Sequence, residues 1–369
     1  MVAYNFRVSA SNEAGGQAVD GRGKLHYYFG GPARSLTARA AATLDLEQTL
    51  LDQLVEMFRP ALPQTLLTEF FVSLKTNPFV VLTGAEGAGK AALVEGFARS
   101  LVGRETNQFI TISSGEWAQQ TSQQRYFADI HERFGSLHFL EALQEAAAPG
   151  NLGKIYIVFL RGLQPDELHT YCSQLLRVEA NGTKRLALPG VPLAQQPTLP
   201  PNIFIIATLH LSQFTAQLDD HVQRHATLIA FGPTARAPKQ LPLPALPLPV
   251  GYQRVLLRAV VNHDQVAQDR LWALLSAREL STLQPSPQLW ELLQQNGIGP
   301  DYRLDADMRR FIANSFDSAG HGLFDRENII RNARIACDAR FIQRILWRLE
   351  DPMLRQQLTA FLDDRYPMP

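Results

Sequence analysis

The segment Gly84-Ala85-Glu86-Gly87-Ala88-Gly89-Lys90 constrains this chain more than any other stretch. Its spacing is G-x-x-x-x-G-K, in which glycines turn the backbone around an oxyanion and a lysine adds a point charge. The apolar run Phe79-Val80-Val81-Leu82 precedes it and reads as a short buried strand. Leu93, Val94, Phe97 and Leu101 follow at helical spacing, so residues 91–101 read as a helix. Strand, glycine turn and helix are the context this motif requires. The backbone N–H groups and the positive helix end then make an anion site. Gly84, Ala85, Glu86, Gly87, Ala88, Gly89, Lys90, Ala91 and Ala92 are its candidate residues. One feature is missing. The motif normally ends in Ser or Thr, whose hydroxyl holds Mg²⁺, and here that position is Ala91.

At 369 residues the chain suits two or three domains. Lys plus Arg and Asp plus Glu both total 35, and this zero balance argues against a dedicated nucleic-acid surface without excluding a local basic rim. Only Cys172 and Cys337 are present, both in helical patterns, so buried thiols are expected rather than a disulfide or metal pair. Nothing resembles a signal peptide and no run reaches the length of a membrane span, so a soluble cytoplasmic protein is expected. Trp117, Trp272, Trp290 and Trp347 are scattered, which suits core packing better than base stacking.

Residues 1–35 form a Gly-rich extension in which 24–29 could be a strand. Helices are expected over 43–58 and 63–74, leading into the first strand. Four more apolar runs follow at 109–112, 155–159, 203–207 and 228–231, with helical stretches at 137–148 and 166–178. Strands alternating with helices predict an α/β fold: a five-stranded parallel sheet flanked by helices, spanning 36–232. Asn181-Gly182 reads as a tight turn in a loop or hairpin insertion. Six prolines make 233–250 a semi-rigid linker. Residues 251–369 read as wholly helical, with segments at 253–261, 264–277, 287–295, 306–316, 328–349 and 353–362.

Taken together, residues 77–90, the stretch Pro201-Asn202-Ile203-Phe204-Ile205-Ile206-Ala207-Thr208 and Val222-Gln223-Arg224-His225-Ala226 resemble the AAA+ P-loop ATPases, an α/β core followed by a helical lid. Within them the chain is similar to the McrB-type branch. The lid stretch Phe311-Ile312-Ala313-Asn314-Ser315-Phe316 fits as well. The resemblance implies ATP or GTP as ligand and a homo- or hetero-oligomeric ring. It implies a γ-phosphate sensor near His210, an arginine finger at Arg224 acting on a neighbouring subunit, and a lid sensor at Arg309 or Arg310.

The chain departs from that pattern where the family holds Mg²⁺. The family ends its third strand in an Asp-Glu pair, whereas this strand, 155–159, runs into Leu160-Arg161-Gly162. Asp166 and Glu167 come later, behind Pro165, where acids favour a helix start for dipole reasons alone. Without hydroxyl or acids, Mg²⁺ use is in doubt. Three readings follow: a degenerate nucleotide-binding subunit beside an active AAA+ paralogue, an active ATPase using Asp166 or Glu167, and a nucleotide-independent scaffold.

Overall fold

The computed structural model describes residues 15–19, 25–29, 34–103, 107–113, 139–163, 176–178, 184–186, 198–209, 226–232, 235, 248, 250–260, 264–298, 304–346, 349 and 351–366. An antiparallel ladder of β1 (Gly15–Val19) and β2 (Leu25–Phe29) comes first. Helices α1 (Arg34–Phe58) and α2 (Gln64–Thr76) lead into β3 (Phe79–Thr83), and α3 (Lys90–Val102) follows the glycine turn. Next come β4 (Phe109–Ser113), α4 (Phe139–Ala147), β5 (Tyr156–Leu163), β6 (Leu176–Val178), β7 (Lys184–Leu186), β8 (Ile203–Leu209) and β9 (Thr227–Ala230). The C-terminal part is helical: α5 (Gln253–Val260), α6 (Asp264–Leu274), α7 (Ala277–Ser281), α8 (Pro287–Gln295), α9 (Ala306–Asn314), α10 (Ile329–Ile345) and α11 (Pro352–Arg365).

The five expected apolar runs form one parallel sheet in the order β4-β5-β8-β3-β9. Every residue of β3 and β8 is buried, as a parallel sheet covered on both faces requires. Because all five strands run the same way, the turn after β3 and the ends of β5, β8 and β9 share one edge. That edge is where open α/β sheets place their ligands.

Most helices match their sequence pattern, and the differences have local causes. Helix α1 begins at Arg34 rather than at 43 because alanine-rich sequence, a strong helix former, extends it. The helix expected over 166–178 is corrected at its end. Leu176, Arg177 and Val178 pair antiparallel with Leu186, Arg185 and Lys184, and Asn181-Gly182 between them lies outside the described residues. Residues 164–175 lie outside the described part. The helix expected over 264–277 ends at Leu274, and α7, which the pattern did not predict, follows it because Ser276 and Glu279 form a capping box. Helices α8, α9, α10 and α11 start at Ser286, Asp305, Asn328 and Asp351, each side chain accepting from a first-turn N–H. Helix α10 ends at Ile345, short of the expected 349. Cys337 is a fully buried thiol in α10, while Cys172 lies outside the described residues.

Buried polar groups join the helical part to the sheet part. Lys75 of α2 is 1% exposed, and its ammonium donates to Glu47 Oε2 of α1 at 2.7 Å and to the Phe316 carbonyl beyond α9 at 3.0 Å. Asn314 Nδ2 donates to the Lys75 carbonyl at 3.2 Å. Arg340 of α10 holds Asp307 with Nε and Nη2, and its Nη1 donates to Thr227 Oγ1 of β9 at 3.1 Å. Burial opposes ionisation of Asp307, but Arg340, with Arg310 and Arg344 behind it, holds its carboxyl below the usual range. Gln343, one turn on, donates to Glu69 Oε1 of α2 at 2.7 Å. Gln253, the first residue of α5, donates to the Leu101 carbonyl and accepts from Ile155 N–H, so α5 is fastened under the sheet.

Burial pushes the Glu69 carboxyl up to about 8, Asp363 adding to the effect while Gln343 and Arg340 oppose it. From the ordinary value of 4.5 to about 8, the folded chain keeps a proton that the unfolded chain has released. Stability therefore falls as pH rises across that window, by a few kcal/mol at most, and levels off above it. Glu69→Gln keeps an oxygen for Gln343 and removes the titration. Its melting temperature should fall less than the wild type's over that window. Parallel pH profiles from thermal unfolding would show that Glu69 titrates like an exposed carboxyl.

Candidate functional site

Three glycines make the turn between β3 and α3 with positive φ: Gly84 at 144°, Gly87 at 75° and Gly89 at 94°. Gly84 is also sterically confined. A Cβ there would lie 2.8 Å from Phe231 Cβ and 3.1 Å from the Phe231 carbonyl oxygen. Phe231 N–H donates to the Thr83 carbonyl at 2.7 Å, so the turn starts pinned against the end of β9. Gly89 is the N-cap of α3 and no side chain caps the helix. The first N–H groups of α3 therefore lack a side-chain acceptor and, with the helix dipole, favour an anion. Ala85, Glu86 and Gly87 are exposed at the tip, while Ala88, Gly89 and Lys90 are buried.

Lys90 closes the turn. Its Nζ donates to the carbonyls of Gly84 at 2.7 Å and Ala85 at 2.6 Å. Burial lowers the pKa of its ammonium, and the carboxylate of Glu86 acts in the opposite sense. Ala91 and Ala92 are partly buried against the core and offer only methyl groups.

The end of β5 shows what stands in place of the acids the resemblance implied. Leu160 is buried opposite Ala207 of β8. Arg161 is 54% exposed, with Nη1 3.4 Å from Glu95 Oε1 of α3. Glu95 lies one helical turn after Ala91, on the same side of α3. Gly162 has φ 69°, and its N–H donates to Thr208 Oγ1 of β8 at 2.9 Å. The register between β5 and β8 shifts between Leu160 and Leu163, a bulge that turns the strand end. Mg²⁺ takes oxygen ligands in near-octahedral geometry. Ala91, Leu160 and Arg161 provide no such oxygen, and Arg161 is itself a cation. Among the described residues no group of three His, Cys, Asp or Glu could hold a metal ion. The donor set of the turn thus fits phosphate oxygens, and that of the described strand ends does not fit Mg²⁺.

Of the other candidates, His210, Arg224, Asp166 and Glu167 lie outside the described residues. Arg309 is partly buried in α9 and lines a cavity of about 260 Å³ with Leu271, Trp272 and Leu280. Arg310 has Nη2 3.7 Å from Asp307 Oδ1. Trp272 is half exposed and so departs from the core role expected of it, whereas Trp290 packs on Phe341 with ring centres 5.4 Å apart. Phe231 and Thr208 are not among the candidate site residues of the sequence. Phe231 carried only the signal of an apolar residue closing the last strand, and Thr208 that of a hydroxyl closing an apolar one.

No protein-family model and no curated protein matches this chain. Among solved structures, a chain from the structure of Drosophila ORC bound to GC-rich DNA and Cdc6 is similar at a TM-score of 0.27 and 10% identity, covering 78% of this chain and 91% of that one. A crystal structure from Cytophaga hutchinsonii, described as a "putative ATPase", is similar at a TM-score of 0.34 and 9% identity, covering 89% of each chain. The fold of this chain is read from its own strand order and helices.

Buried Gly84 and exposed Gly87 should respond differently to a methyl group. Gly84→Ala meets Phe231 at a forbidden φ and should lose roughly 1–3 kcal/mol of stability. Gly87→Ala has open space and should lose less, about 1–2 kcal/mol for the left-handed φ alone. Urea denaturation of both variants measures this, and equal losses would remove Phe231 as the cause.

Proposed function

We propose that this chain is a nucleotide-binding protein of the AAA+ kind that hydrolyses nucleotide weakly or not at all. The carrying observation is one sheet edge with two different strand ends. After β3 comes the glycine turn with Lys90, and at the end of β5 stand Leu160 and Arg161 in place of carboxylates. ATP or GTP would be held by the N–H groups of the turn and the start of α3 and by the Lys90 ammonium. Bound nucleotide supplies an anionic triphosphate. The part played by this chain is to bind and orient it, and Gly84, fixed by Phe231, sets where the turn stands. Phosphoryl transfer depends on electrostatic stabilisation and placed water. The absence of oxygen ligands at Ala91 and Arg161 supports binding without turnover.

In this reading the chain is a cytoplasmic subunit of an oligomer, of the McrB-type branch, beside an active relative whose nucleotide receives Arg224. Arg309, Arg310 and His210 are then secondary contacts to nucleotide. No helix among the described residues is long and apolar enough to cross a membrane.

A second reading, a scaffold that needs no nucleotide, is favoured by the buried polar joint. Lys75, Asn314, Arg340 and Gln343 tie the helical part to α2 and β9, which suits a part that does not cycle.

Calorimetric titration of ATP and GTP, with and without Mg²⁺, separates the readings. Saturable binding is expected in both conditions, and Lys90→Ala should weaken it at least about tenfold by removing a charge-assisted contact. Phosphate release should stay flat over long incubation. Mg²⁺-dependent release abolished by Glu167→Gln would instead establish displaced acids, and absence of any binding would leave the scaffold.

A further inference from the structure

A second concentration of positive charge lies in the C-terminal helices, and no residue of the phosphate turn contributes to it. An open cleft of about 470 Å³ is bounded by the starts of α8 and α10 and the end of α11. Arg331, Arg334 and Arg365 line it, and none of its lining residues is a carboxylate. Ser286 and Asn328, the N-caps of α8 and α10, line it too, so two helix dipoles bring partial positive charge into the same space. Arginines near the start of α10 sit at the end of the helix that disfavours cations, and its first turn holds no acid. Arg365 stands in the last turn of α11, where the dipole favours a cation, but the placement of Arg334 gains nothing from its own helix.

Little nearby neutralises them. Arg331 pairs with Asp325 at 3.0 Å. Among the described residues neither Arg334 nor Arg365 has a carboxylate within ion-pair distance. Asp338 lies buried below, already accepting from Ser286 N–H at 2.7 Å and from the Tyr366 hydroxyl at 3.0 Å. Burial holds its carboxyl above the usual range against the pull of Ser286, Tyr366 and Arg334. Tyr366 has the Arg331 and Arg365 guanidinium carbons 6.0 and 5.7 Å from its ring centre. These cation–π contacts order the two guanidiniums without cancelling their charge. The result is three arginine forks, held at one cleft of ligand size, with two of them unmatched.

We propose that this cleft binds a phosphate group, carried on a small phosphate ester or in a nucleic-acid backbone. Guanidinium forks match phosphate oxygens in pairs, and helix N-termini add N–H donors. The site is separate from the phosphate turn and does not depend on its reading.

The test titrates the full chain with inorganic phosphate, glycerol phosphate and a short thymidine oligonucleotide, using wild type, Lys90→Ala and the double variant Arg334→Glu/Arg365→Glu. Arg334 and Arg365 are exposed, so the double variant should melt like wild type. Where it does not, Arg334→Gln takes its place. Binding should persist in Lys90→Ala, fall at least about tenfold in the charge-reversed variant, and recover only in part in Arg334→Lys/Arg365→Lys, which restores charge without the fork. If the oligonucleotide binds tightest, with a salt slope that drops by about one per arginine removed, the source is a nucleic-acid backbone. If glycerol phosphate binds as well as the oligonucleotide, it is a small ester. Phosphate binding that vanishes in Lys90→Ala, or is unchanged in the reversed variant, overturns the proposal, as does no binding by any probe.

Discussion

A buried ammonium group organises the joint on which the rest of the chain is hung. Lys75 is almost fully inaccessible, and an unpaired charge there would cost several kcal/mol. Its pKa is lowered by burial and restored in part by Glu47, and the pair is kept by geometry: Glu47 at 2.7 Å and the Phe316 carbonyl at 3.0 Å. These oxygens come from α1 and from the segment after α9. Satisfying one side chain in the last turn of α2 therefore fixes two remote parts of the sequence to that helix. That turn leads within a few residues into β3, the strand that carries the glycine turn. Removing either partner would strand a charge, typically at about 3–5 kcal/mol, so the joint behaves as a unit.

The sheet was legible because its signals are local. Five apolar runs of strand length, separated by helical stretches, could be covered on both faces only in a parallel arrangement. The glycine turn was legible for the same reason, since the positive φ values fall on the three glycines of the motif. What escaped depends on pairing across distance. Leu176-Arg177-Val178 reads equally as the end of a helix or as a short strand, and only Lys184–Leu186 decides it. The short α7 lies just past an expected helix, and its only local signal is the spacing of Ser276 and Glu279. Arg340, Gln343 and Lys75 look like ordinary polar residues of helices until the buried partners are known. Of the candidate site, the turn could be read in full, but the Arg161–Glu95 pair and the Gly84–Phe231 contact belong to tertiary packing.

The same sheet edge holds the glycine turn and, two strands away, an arginine at the position where the sequence resemblance implied acids. These features are compatible. Arg161 leans on Glu95, and the Gly162 N–H is satisfied by Thr208, so the strand end is stably finished without metal.

Strand β9 is four residues long and is gripped at both ends. Thr227 is held by Arg340 from the helical part, and Phe231, just past the other end, leaves no room beside Gly84. A short strand hydrogen-bonded along its length to β3 does not stretch. The glycine turn and the C-terminal helices thus bear on opposite ends of the same strand, the turn through the crowding of Gly84 by Phe231 and the helices through the bond from Arg340 to Thr227.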